Sequence, residues 1–288
     1  MTPEERLIKV QLNIAKMASL STTVSKVLDI CNNPDSSPND LNRVISLDPV
    51  LTGQVIKLIN SAYYALPNRV TSLARAIIIL GVNTVKNLVL ATSILASFRK
   101  SHIHGSFSAD AYWAHCLCVG SVCKAIAQVC EVPALEREEY FVAGLLHDLG
   151  KLPMLVCFDD LHQQAVKAAD NENMPLFQAE RRYFGFEHCQ IGRLIAAKWK
   201  LDQSMRDAIA HHHDPLSQDR EPSELLLYVS LANQVTNQFQ IGGAGDLYCD
   251  ELLMHSLAER IGVGLEAIRS MKPMIIEEIE KAKVFLGK

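Results

Sequence analysis

Histidines and one aspartate carry most of the chemistry this chain could do. His115 lies within Tyr112-Trp113-Ala114-His115-Cys116, and His147 adjoins Asp148 within Gly144-Leu145-Leu146-His147-Asp148-Leu149-Gly150-Lys151. His188 follows Gly185-Phe186-Glu187, and His211-His212-His213 precedes Asp214-Pro215. Imidazole and carboxylate donors suit Zn, Fe, Ni or Mn. A helical bundle builds such a site from side chains on facing helices. Asp148 could then bridge two cations, and Lys151, one turn further on, could meet a phosphate as a point charge.

Each residue also has a plainer reading. His147 at a helix C-terminus would complement the helix dipole. His115, in mid-helix, equally suits a satisfied core histidine. His188 and the triple histidine also read as solvated helix ends. Helical neighbours stand about 100° apart, so at most two of His211, His212 and His213 can enter one site. His102, His104, His162 and His255 read as surface residues. Other chemistries fit less well. Five residues separate Gly144 from Gly150 where a phosphate loop needs four, and Leu152 stands where Ser or Thr would bind magnesium. No Gly-x-Ser-x-Gly nucleophile elbow occurs. Cys116 and Cys189 adjoin His115 and His188 only along the sequence, in no recognisable catalytic pattern.

The elements that must position these residues are helices. Thr22-Thr23 can cap a helix carrying Val24, Val27, Leu28 and Cys31. Pro38-Asn39-Asp40 opens another, through Leu47, and Asp48-Pro49 reads as an N-cap followed by proline at the first helical position. A helix from Ser72 ends at Gly81, which offers a left-handed position; the run Ala76–Leu80 could pass for a buried strand, but the serine before it and the glycine after it favour helix. Asn83–Phe98, Asp110–Cys130 and Arg137–Leu149, the last stopped by Gly150, follow. Further helices are predicted near 159–170, 176–184, 188–199, 203–212, 223–239, 250–260 and 275–286. A loop over 101–108 and a flexible surface loop over 242–246 connect them. The fold class expected is all-α.

Composition bounds the rest. The chain has 288 residues, 49% hydrophobic and 21% charged, which excludes wholesale disorder. A formal charge of −4 argues against a whole-surface grip on nucleic acid, and 6% aromatics argues against an RNA-stacking platform. The apolar stretch from Ser72 to Phe98 is broken by Arg75, Asn83, Lys86 and Asn87, so no membrane span is expected there. The start MTPEERLIKV has no apolar signal region, and the eight cysteines form no CxxC pair, so the expected location is a reducing cytoplasm.

Several separated blocks, in order, are similar to those of bacterial HDOD proteins, a branch of the HD metal-dependent phosphohydrolase superfamily. They are Leu47-Asp48-Pro49-Val50-Leu51, Leu58-Ile59-Asn60-Ser61-Ala62-Tyr63-Tyr64, and Val70-Thr71-Ser72-Leu73-Ala74-Arg75-Ala76-Ile77 ending at Leu80-Gly81. Trp113-x-His115, the Gly144–Lys151 block, His188-x-x-Ile191-Gly192, Trp199 and Ile209-x-x-His212-His213-Asp214-Pro215 complete the set. The resemblance spans about residues 20 to 235. It implies an HD-superfamily helical bundle (101–240) with an added N-terminal helical subdomain (1–100) and C-terminal helices (241–288) packed on it, as one continuous domain.

It also implies a divalent-metal site, for one or two Fe, Mn, Ni or Zn ions. His115 would be the first ligand, and His147 with Asp148 the central pair. His188, His212 and His213 resemble the additional histidines that phosphodiesterases of the superfamily use for a second metal, with His211 the alternative if the register slips by one. The distal aspartate of the superfamily is here Asn233, a weaker, neutral ligand, and the Gly-Tyr-Pro signature is missing after His213. Two functions follow from the resemblance. One is a regulatory or output module of bacterial signal transduction, with a protein partner and doubtful catalysis. The other is an active phosphohydrolase or phosphodiesterase on a nucleotide or cyclic dinucleotide, with Asp148 and Lys151 catalytic. A scaffold whose histidines bind no metal is the third alternative.

Overall fold

The computed structural model describes the chain except residues 18–19, 32, 34–35, 100–107, 218–220 and 288, and the side chains of 98–99. His102, His104 and most of the loop expected over 101–108 lie outside the described residues. Among the described residues the architecture is all-α, with no strand. The helices are α1 (Pro3–Lys16), α2 (Thr22–Cys31), α3 (Pro38–Ser46), α4 (Pro49–Ile59), α5 (Leu73–Arg99), α6 (Ala109–Val129), α7 (Arg137–Leu146), α8 (Lys151–Glu172), α9 (Leu176–Phe184), α10 (His188–Lys198), α11 (Gln203–His211), α12 (Glu224–Phe239), α13 (Glu251–Ile261), α14 (Leu265–Ser270) and α15 (Lys272–Ala282). A short 3-10 helix, Lys283–Leu286, follows.

Local chemistry accounts for many of these boundaries. The Asp48 carboxylate accepts the Leu51 N–H at 3.0 Å, and Pro49 opens α4 where its missing donor costs nothing. Gly81 adopts φ +81°, so α5 bends there as the glycine predicts, but helix resumes at once on its far side. Gly150 behaves differently from expectation. Its φ is −65°, so it does not stop a helix by a left-handed turn; α7 ends at Leu146, residues 147–150 form turns, and α8 begins at Lys151. The helix expected near 159 is the second half of α8, beyond a kink at Phe158 (φ −152°). Pro153 lies in the first turn of α8, where proline is tolerated.

The centre of the molecule is α6, α7 and α12. Every residue of α12 from Leu225 to Asn237 is buried, as are most of α6 and α7. Helices apolar on all sides belong in a core. Two stretches, Leu73–Ser97 and Arg137–Glu172, are long and apolar enough by composition to cross a membrane, and the most apolar 18 residues of the second are 83% buried within the bundle. Glycines set how closely the central helices approach. A Cβ on Gly144 would stand 2.7 Å from the Gly120 Cα, so α6 and α7 cross backbone to backbone there.

The ends of the chain are tied to this centre. Lys198 Nζ donates to the carbonyls of Ile14 (2.6 Å), Ala15 (3.0 Å) and Met17 (2.8 Å), capping the C-terminus of α1. Tyr63, in the loop after α4, packs against Phe141 of α7 and Phe285 near the C-terminus, with ring centroids 5.3 and 5.1 Å away. Lys124 of α6 donates to the Tyr63 hydroxyl at 2.8 Å and pairs with Glu138 at 3.2 Å. The segment 242–246, expected as a flexible surface loop, packs into the bundle instead. The Gly243 N–H donates to the Ala111 carbonyl at 2.9 Å, and Ala244 and Asp246 are buried. Gly242 is needed there twice over: its φ is +72°, and a Cβ would lie 2.3 Å from the His115 nitrogen.

Candidate metal centre

Four elements bring the histidines to one buried point. His115 comes from the middle of α6, and His147 and Asp148 from the turn between α7 and α8. His188 opens α10, and His212 and His213 follow the last residue of α11. His115, His147, Asp148, His188 and His212 are each at most 2% exposed, and His213 is partly buried. His211 ends α11, partly exposed and outside the cluster, whereas His212 and His213 lie within it. Gly150 makes the convergence possible: a Cβ there would fall 1.9 Å from the His188 carbonyl oxygen.

Asp148 lies between two histidine groups. Its Oδ2 faces His147 Nε2 at 3.4 Å and His115 Nε2 at 3.7 Å, while its Oδ1 faces His188 Nε2 at 3.2 Å and His212 Nε2 at 3.7 Å. His188 Nε2 is 3.4 Å from His212 Nε2 and 3.2 Å from His213 Nε2. The outer nitrogens of three rings are engaged away from this centre. His147 Nδ1 lies 2.7 Å from the Gly144 carbonyl, His188 Nδ1 lies 2.6 Å from Glu180 Oε2, and His212 Nδ1 lies 3.2 Å from the Ile209 carbonyl. Each bond favours the proton on Nδ1 and leaves the Nε2 lone pair pointing inward, as metal-ligating histidines require.

The protonation states of His115, His147, His212, His213 and Asp148 suit a cation, whereas His188 must give up a proton to ligate one. Burial pushes His115 down to about 3 and lowers His147, and burial with neighbouring rings holds His212 and His213 well below the usual imidazole value. Burial alone would raise Asp148, but His147 and Lys151 outweigh it and keep the carboxylate ionised. Burial likewise opposes charge on His188, and the Glu180 carboxylate overrides it, holding the ring well above the ordinary value. His115 Nε2, His147 Nε2, Asp148 Oδ1 and Asn233 Oδ1 are all buried without a hydrogen bond among the described residues. Unsatisfied buried polar atoms are rare. Four at one point, within a set of imidazole and carboxylate donors, fit a divalent ion. Asn233 of α12 is buried beside His115.

Some parts of the site were not legible as such. Lys151 is tied to Asp148 (Nζ–Oδ2 2.7 Å) and 1% exposed, so its charge is already engaged. Glu180, which accepts both the His188 N–H (2.9 Å) and its Nδ1, is a helix carboxylate with no motif around it; its position eight residues before His188, across a Gly185 turn, is the one available signal. Cys189, adjacent to His188 in sequence, has its Sγ 3.8 Å from both ring nitrogens of His212. His162, expected at the surface, is 1% exposed in α8, because α8 lies against the 242–246 segment. A cavity of about 290 Å³, lined by His213, Phe177, Gln234, Asp246 and Tyr248 among others, reaches the His213 side of the cluster.

Comparison with known proteins identifies the family and the fold. A model of the HDOD domain matches residues 17–215, and the chain belongs to the HDOD family. It resembles the structure of an HDOD domain protein of unknown function from Geobacter sulfurreducens, with 25% identity, a TM-score of 0.76 and 99% of both chains covered. A candidate phosphohydrolase from Shewanella amazonensis SB2B shares the fold at 22% identity and a TM-score of 0.68, over 95% of this chain and 97% of that one. A candidate signal transduction protein from Marinobacter aquaeolei VT8 does so at 18% and 0.71, over 99% of this chain and 66% of that one. An uncharacterized protein of Treponema pallidum (strain Nichols) is 23% identical over 239 residues, 79% of this chain; the match spans 46% of that relative's length.

Proposed function

We propose that the chain is a regulatory module of bacterial signal transduction that holds one or two divalent ions, Fe, Mn, Ni or Zn, in a buried centre without appreciable turnover. His115, His147 and Asp148 would hold one ion, and His188, His212 and His213, sharing Asp148, the other. The observation that carries this reading is Asn233. It stands beside His115, where the superfamily resemblance puts a carboxylate, and a neutral amide leaves Asp148 as the sole carboxylate facing both histidine groups. Leu47 after α3, Val50 of α4 and Ile78 of α5 are 71%, 70% and 82% exposed, and a protein partner of this reading would have apolar side chains to meet there. A cytoplasmic location goes with this reading.

One observation favours a second reading, a phosphohydrolase or phosphodiesterase acting on a nucleotide or cyclic dinucleotide. Asp148 stands between two histidine groups, as a bridging carboxylate would, and the His213 cavity gives one side access. Bound metals would there acidify water and hold phosphate oxygens. Asp148 would fix the two groups relative to one another, and Lys151 would keep Asp148 ionised and oriented. The test is metal content together with phosphodiester turnover, for the wild type and His147→Ala. The regulatory reading expects bound metal, lost or halved in the variant, and no hydrolysis of nucleotide or cyclic-dinucleotide substrates. Hydrolysis by the wild type that His147→Ala abolishes would overturn it in favour of the enzyme.

A further inference from the structure

The donor set around His188 contains an atom that a histidine–carboxylate centre does not need. Cys189 is 2% exposed, and its Sγ stands 3.8 Å from both Nδ1 and Nε2 of His212. One ligand atom from each of His188, Cys189, His212 and His213 lies within 4.8 Å of the others. Zn–N bonds of about 2.0–2.1 Å and Zn–S bonds of about 2.3 Å place tetrahedral N···N edges near 3.4 Å and N···S edges near 3.6 Å. The spacings here are 3.4 and 3.2 Å between nitrogens and 3.8 Å from sulfur to nitrogen; Sγ stands equally far from both ring nitrogens of His212, so joining an ion on Nε2 requires the Cys189 side chain to move toward that nitrogen. The other seven cysteines belong to neither donor group among the described residues.

Charge points the same way. Two dications beside Asp148 would be short of anionic donors, because Asn233 is neutral and Asp148 also pairs with the Lys151 ammonium at 2.7 Å. Buried charge must be balanced locally. A thiolate at Cys189, which burial opposes in the free thiol, would supply one negative charge where imidazole ligands supply none. On binding, the thiol proton leaves to solvent, and the sulfur lone pair so freed forms the metal–sulfur bond; no oxidant or reductant is involved.

We propose that Cys189 is a metal ligand that adds one sulfur to the His188, His212 and His213 donors and makes that side of Asp148 selective for zinc over manganese. The proposal rests on the metal-binding reading above. Thiolate donors select zinc, whereas manganese prefers oxygen donors.

The test is zinc K-edge X-ray absorption of the zinc-loaded full chain, with cobalt(II) loading followed optically. The expected result is a sulfur shell at about 2.3 Å and a near-ultraviolet thiolate-to-cobalt charge-transfer band, both absent from Cys189→Ser and Cys189→Ala. Zinc affinity is expected to fall by about tenfold or more in these variants, with manganese affinity little changed. Zinc bound by the wild type with nitrogen and oxygen scattering alone overturns the Cys189 assignment and leaves the metal reading standing. No zinc or cobalt bound by the wild type overturns both. The wild-type spectrum is decisive even where a variant folds poorly.

Discussion

Gly150→Ala should damage the centre without touching a ligand. The glycine sits between Asp148 and α8 with an ordinary helical φ, so alanine is allowed by its own backbone. The obstacle is its neighbour: the added Cβ would stand 1.9 Å from the His188 carbonyl oxygen and 2.6 Å from the Gly192 nitrogen. Both are backbone atoms, so no side-chain rotation relieves the clash. Reaching ordinary contact requires the 147–151 turn and the start of α10 to part by more than an ångström, which opens the Asp148–His188 approach of 3.2 Å. Overpacking usually costs about 1–3 kcal/mol, and a backbone clash belongs at or above the top of that range. At about 2–4 °C per kcal/mol for a chain of this size, the midpoint should fall by about 6–12 °C. Metal held by the His188 group should be lost before metal held by the His115 group. Gly53→Ala is the control: nothing lies within 4 Å of its Cβ, and it sits inside α4, so it should be neutral or stabilising by up to about 1 kcal/mol. Denaturation and elemental analysis of the three proteins decide the matter. A Gly150→Ala chain as stable as wild type, with unchanged metal, would refute the close approach.

Three further outcomes follow from the same geometry. Glu180→Gln keeps an acceptor for His188 Nδ1 but removes its charge, so metal affinity of the His188 group should fall about 10–100-fold; a competition titration showing no change would count against the orienting role. Asn233→Asp restores a carboxylate beside His115 and should tighten binding of the ion at His115, His147 and Asp148, measured by chelator competition; weaker binding would show that Asn233 is not aimed at that ion. Asp246 is raised by burial to about 6, against about 3.9 in an unfolded chain. The folded state therefore holds the extra proton between those values, and stability falls as pH rises from about 4 to about 6, by up to about 3 kcal/mol. Asp246→Asn should remove that fall, so its advantage over wild type grows with pH; parallel stability curves would contradict the assignment.

The parts of this molecule that sequence exposed are those with local signals. Asp48-Pro49, the helical spacing of α9 to α13 and the Gly81 bend each follow from a cap, a periodicity or a special φ. The His147-Asp148 pair was visible because it interrupts an apolar run, and the choice of His212 and His213 over His211 came from register. What escaped was set by tertiary approach. Glu180 and Cys189 carry no motif, and their roles appear only when α9, α10 and α11 meet. His162 and Asp246 looked solvent-facing because polar residues in a helix and a glycine-rich loop usually are, and only the docking of 242–246 between α6 and α8 buries them. Gly150 was assigned to helix termination, its commonest role, whereas its place is fixed by the backbone of another helix.

Asp148 is where bound cations should lie. Crystals of metal-loaded chain, measured at the absorption edge of the bound metal, test it most directly. Anomalous peaks are expected at the Asp148 carboxylate, toward His115 and His147, toward His188, His212 and His213, or at both, and diminished in Asp148→Asn. A loaded crystal with no peak at Asp148, or with peaks only at exposed histidines such as His255, would contradict it.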